Sequence, residues 1–159
     1  MTEGSSFAEH LEALAGQTDE IAKKGLYEGA KIVADRIKVN LEALPIEKAR
    51  WLKDGEKYEG ITKTEKSGLA SCFGITSMKQ SAGAIHLHIG FAGYVNSHYS
   101  KKYPHGLPAQ VIARSIESGS SVRVKKPFMR NAVAATEETA KVKMRETIEN
   151  EIKSITGGK

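Results

Sequence analysis

A single cysteine, Cys72, in 159 residues excludes a disulfide framework and any zinc site built on clustered thiolates. Aromatic side chains make up 6% of the chain, too few for a protein that grips single strands by stacking bases on a row of rings. No run approaches the roughly 20 apolar residues that a membrane span needs. Met1–His10 carries neither a basic nor an apolar segment. No secretory signal is therefore expected, and the expected compartment is the cytoplasm, or an assembly built there. There is no internal repeat, no G-x-S-x-G elbow and no G-x-x-x-x-G-K-[ST] phosphate loop.

What is present has the balance of an ordinary globular protein, 40% hydrophobic and 27% charged. A 17.3 kDa chain is expected to form one domain over 1–159 and to bury about two thirds of its unfolded surface. The net charge of +5 is unevenly placed. Met1–Gly60 holds 9 basic and 12 acidic residues, whereas Ala84–Arg130 holds 7 basic residues, one acidic residue and four of the five histidines. Such a basic block suits a polyanion or the acidic face of a neighbouring subunit.

Periodicity divides the chain into four stretches. In 1–44, apolar positions recur at Phe7, Leu11, Leu14 and Ile21, and again at Leu26, Ala30, Val33, Ile37, Leu41 and Leu44, the spacing of an amphipathic helix. Ser5 or Ser6 is the expected cap, a break or kink is expected near Gly16 or Gly25, and Pro45 is expected to end the helix. Residues 45–67 read as a polar connection with one helical turn at Ile46–Leu52. In 68–126, Leu69–Met78 and Ala84–Phe91 are expected to form an antiparallel hairpin around Gln80–Gly83. A short helix opened by Pro108 and a basic loop or edge strand at Ser120–Lys126 follow it. Pro127 then opens a long helix over 127–156, closed by Gly157 and Gly158. The expected class is α+β: a long N-terminal helix, a small antiparallel sheet built on a hairpin, a short middle helix and a long C-terminal helix.

Few residues offer chemistry. His86 and His88 share one side of a strand, and with His98 or His105 they supply enough imidazoles for a zinc ion. The alternative is a strand face that happens to carry imidazoles, and the scarcity of carboxylates within Ala84–Arg130 (Glu117 alone) favours it. Cys72 needs a base across the hairpin to become a nucleophile, and a small packed strand residue is the simpler reading. No catalytic residue, metal or cofactor is expected; Cys72, His86 and His88 are the alternatives. The stretch Arg123-Val124-Lys125-Lys126-Pro127-Phe128-Met129-Arg130 is the most specific feature. It reads as a solvated loop, as a phosphate-binding strip, or as a subunit contact. In the last, Phe128 enters a neighbour's groove while Arg123, Lys125, Lys126 and Arg130 meet its acidic first helix.

Three stretches in order resemble the tail-component family of long-tailed bacteriophages and prophages. They are the N-terminal helix; Thr64–Phe73 leading to Ile89-Gly90-Phe91; and Ala113-Arg114-Ser115-Ile116-Glu117-Ser118-Gly119-Ser120 followed by Lys126-Pro127-Phe128-Met129-Arg130-Asn131-Ala132. The last is similar to the family's hydrophobic-E-x-G-[ST] … P-F-hydrophobic-x-x-A signature. The resemblance implies a structural virion protein of the neck or tail, acting in head–tail joining or tail completion and assembled in the host cytoplasm. The implied partners are copies of itself in a ring, a hexamer among the expected forms, together with head connector and tail tube or terminator proteins. Passing DNA would be touched without being read, and no membrane is involved. The alternative is a small basic nucleic-acid-binding protein using Lys101, Lys102, Arg114, Arg123, Lys125, Lys126 and Arg130 on phosphates.

Overall fold

A computed structural model of the chain describes residues 3–97 and 99–157, with side chains from residue 8 onward. Its elements are α1 (Glu3–Glu42), α2 (Lys63–Cys72), β1 (Phe73–Ile75), β2 (Lys79–Ser81), β3 (Ala84–His86), β4 (Ile89–Phe91), β5 (Tyr94–Val95), β6 (Leu107–Pro108), α3 (Ala109–Ser118) and α4 (Phe128–Thr156). The class is α+β, with a long helix at each end and small antiparallel pairings between them.

Helix α1 is a 40-residue rod, about 60 Å long at 1.5 Å per residue. It starts at Glu3, so Ser5 and Ser6 lie inside it and are not its caps, and it runs unbroken through Gly16 and Gly25. Helix α4 packs antiparallel along it, which explains two of its glycines. A methyl group on Gly25 would sit 2.6 Å from Ile148 Cγ1, and one on Gly29 would overlap Met144. The penalty of about 1 kcal/mol for each helical glycine is offset by the close approach of the two rods. Pro45 ends α1 as expected. Lys66 of α2 then donates from Nζ to the carbonyls of Glu42 and, at 2.9 Å, Leu44, placing a cation on the negative end of the helix.

The polar connection contains no helical turn at Ile46–Leu52. It is irregular and closes through a parallel bridge between Ile46 and Ile61. The last five residues of that expected connection, 63–67, already belong to α2, and so does the start of the expected first strand. The reason is a capping box: Thr62 Oγ1 accepts from Glu65 N at 3.1 Å, and Glu65 Oε2 accepts from Thr62 N at 2.9 Å. Only Phe73–Ile75 of that expected strand is extended.

The hairpin itself is present, as a two-stranded ribbon with a fault. At its base Phe73, Gly74 and Ile75 face Phe91, Gly90 and Ile89. Near its tip Lys79, Gln80 and Ser81 face His86, Ile85 and Ala84. Between the two ladders the pairing shifts by one residue, so the expected strand Ala84–Phe91 is split at Leu87–His88. The tip is a two-residue turn with positive φ at Ala82 (50°) and Gly83 (78°), the geometry of a type I′ hairpin.

Helix α3 buries Ala109, Ile112, Ala113 and Ile116, a complete i, i+3, i+4, i+7 face. Together with Ile37, Leu41 and Leu44 of α1, Leu69, Phe91, Val95, Phe128 and Ala132 they form the core. Among the described residues no helix is long and apolar enough to cross a membrane.

Candidate functional site

Helix α4 starts at Phe128 after Pro127, with no side-chain cap of its own. The orphan amides of its first turn are served from α3. Glu117 accepts from Met129 N at 2.9 Å and from Arg130 N at 3.1 Å, and Arg130 Nε returns to Glu117 at 3.2 Å. An anion thus sits on the positive end of α4 and ties the two helices together. Gly119, at φ 76° and pressed against Lys125, makes the turn that carries the chain from one helix towards the other.

Beside this junction lies a groove of about 660 Å³, walled by Phe73, Ile75, Ile89 and Phe91 of the ribbon, by Ala113 of α3 and by Met129 of α4. Its lining also includes Arg114, Glu117, Gln110, His88 and Cys72. Gly74 and Gly90, paired in the ribbon, have nothing within 4 Å of where a side chain would stand. The groove is mostly apolar, with few polar groups around it, a composition that suits either a small ligand or the apolar side chains of a partner.

The residues singled out from the sequence divide into two groups. Arg123 and Phe128 are not surface anchors. Arg123 Nη2 bonds Glu65 Oε1 at 2.9 Å and Nη1 donates to Gly60 O at 3.3 Å, with the two charged side chains 11% and 2% exposed. Phe128 is 4% exposed and its ring lies 6.1 Å from that of Phe91. Both were expected to reach a neighbour, and both are used within the chain. Arg130 is shared with Glu117 but remains mostly exposed. Lys125 is exposed and Lys126 half-buried. These two join Arg36 in lining a second, smaller groove of about 520 Å³ beside Leu44, Pro45 and Asn131, with no acidic residue in its lining.

His86 and His88 do share a face, their rings 5.9 Å apart. The register sets His86 opposite Lys79, and the His88 carbonyl accepts from Thr76 N. Neither imidazole is opposite Cys72. That residue is the last of α2 rather than a strand residue, and its thiol points to the Tyr94 carbonyl at 3.7 Å. His98 lies outside the described residues. Among those described, no group of three His, Cys, Asp or Glu is arranged to hold a metal.

A second surface feature lies in the connection after α1. Trp51 is 99% exposed on a loop that is nonetheless tightly tied. Arg50 Nη1 meets Glu56 at 2.6 Å and its backbone N–H donates to the Tyr58 hydroxyl, which donates back to the Arg50 carbonyl. Glu47 accepts from Gly60 N and Glu59 N at 3.0 and 2.8 Å, and these donors, Gly60 first, hold its carboxyl below the usual 4.5. Glu56 is lowered in the same way, by the Lys53 N–H first and then by Arg50.

Carboxyl groups depressed in the fold add stability above their unfolded pKa and lose it as pH falls through the folded value. The loop is therefore expected to keep its order at neutral pH and to loosen below about pH 4.5. NMR shifts of the 50–60 amides across pH 3–6 measure this. Spectra unchanged down to pH 3 contradict the ties described.

Comparison of the chain with protein-family models, with curated proteins and with solved structures found no match.

Proposed function

We infer that this chain is a structural subunit of a phage neck or tail, acting in head–tail joining or tail completion as a ring of identical copies rather than by turning over a substrate. The observation that carries this reading is the use made of the signature residues. Glu117 caps α4, Gly119 turns the chain, Phe128 and Ala132 fill the core, and Ile89-Gly90-Phe91 floors the apolar groove. Each serves construction, and the apolar groove they border is read here as a docking surface for another subunit. A ring needs two unlike patches on each subunit, one fitting the other. The groove is one such patch, and its neighbours in the virion would be head connector and tail tube or terminator proteins.

One observation favours a second reading, a small basic nucleic-acid-binding protein: the groove holding Arg36, Lys125 and Lys126 has three cations and no acid. Sedimentation and electron microscopy of the full chain, with DNA titrations at two salt concentrations, separate the two. A concentration-dependent closed oligomer with little DNA affinity is expected. A monomer that binds DNA with steep salt dependence overturns the first reading in favour of the second.

A further inference from the structure

The register of α1 on α4 leaves part of α1 without a partner. Gly25 lies against Ile148 and Gly29 against Met144, so the last residue of α4, Thr156, comes level with about residue 17 of α1. The described helix before that point runs on for about 20 Å. Between residues 8 and 20 only Leu14 is even half-buried, and Leu11 is 50% exposed. Leu11 and Leu14, with Phe7 before them in the sequence, follow the 4, 3 spacing of one helical stripe. Residues 1–17 contain three acidic residues, Glu3, Glu9 and Glu12, and no Lys or Arg.

We propose that this free arm of α1 docks into the apolar groove of a second copy of the chain. The inference rests on the reading of the chain as a self-assembling subunit and adds the surface by which it assembles. The arm supplies an apolar stripe flanked by negative charge, in the helix-in-groove manner. The groove supplies Phe73, Ile89, Phe91, Ala113 and Met129 as an apolar wall. The charge in the groove's lining is complementary. Glu117 is already answered by Arg130 and two backbone amides, while Arg114 is exposed and has no ion pair among the described residues. The groove's own arm does not fill it, because that arm is exposed along its length. The contact is heterologous: every copy gives an arm and receives one, which closes a ring or extends a filament.

Cys72, the sole cysteine, lines the groove and so reports on the docking. A full-length chain carrying Leu11→Cys and Cys72→Ser is mixed with the unaltered chain under a mild copper–phenanthroline oxidant. A mixed disulfide dimer is expected. It should be absent when the new thiol is instead at Val142→Cys, on the exposed side of α4. The double variant Leu11→Asp, Leu14→Asp, both in the free arm, should keep its circular dichroism and weaken self-association by about tenfold or more. An unaltered chain that oligomerises but gives no mixed disulfide overturns the arm and leaves the ring reading standing. Equal cross-linking from Val142→Cys overturns it as random collision. A chain that stays monomeric at every concentration overturns both.

Discussion

Phe128→Ala is expected to lower the stability of the folded chain by about 3–5 kcal/mol, the range for removing a buried aromatic side chain. The ring is 4% exposed and meets Phe91 edge-on, and the Phe91 ring in turn lies 5.1 Å from that of Phe73. Its loss opens a void at the point where α4 begins, next to the groove and the Glu117 cap. Urea unfolding followed by circular dichroism measures the change. Phe128→Leu, which keeps most of the volume, should lose well under half as much. A Phe128→Ala change below about 1 kcal/mol, the size typical of surface positions, would return the residue to the outside of the fold, where a basic loop followed by an aromatic first suggests it belongs.

The second large effect is expected at Arg123. Its guanidinium joins Glu65 of α2 to the loop before α4 and also takes the Gly60 carbonyl. Glu65 is already committed to the Thr62 capping box, so one carboxylate anchors a helix start and holds the incoming cation. Removing one partner of a buried ion pair destabilises by about 3–5 kcal/mol, because the remaining charge keeps its desolvation penalty. Arg123→Met is expected to fall near the lower end of that range, since Glu65 keeps its bonds to Thr62. Arg123→Lys, which retains charge but not the fork, should recover part of the loss. The effect should persist in high salt, as screening reaches buried pairs poorly. A loss that vanishes in high salt would place the pair in solvent.

These two residues also mark where sequence reasoning reached its limit. The long helices and α3 were legible because their apolar positions repeat with the helical period, and Pro45 and Gly157 punctuate the ends. The hairpin was legible from alternation and from the turn at Ala82-Gly83. Helix α2 was not, because Cys72, Phe73, Ile75 and Thr76 pulled the reading towards a strand. The Thr62-x-x-Glu65 box that decides the matter was present in the sequence and outweighs those local preferences. Arg123 and Phe128 were drawn to the surface for a different reason. What buries Arg123 is Glu65, 58 positions away, and no local pattern carries that information. The groove is likewise a product of three elements meeting, and nothing in any one of them announces it.

The loop around Trp51 has a practical consequence. Its indole is the only one in the chain, stands almost wholly in water, and is flanked by residues whose hydrogen bonds do not involve it. The protein therefore carries an intrinsic optical gauge. Emission from that ring reports whether a partner has settled over this side of the molecule, with no label attached and little of the core disturbed.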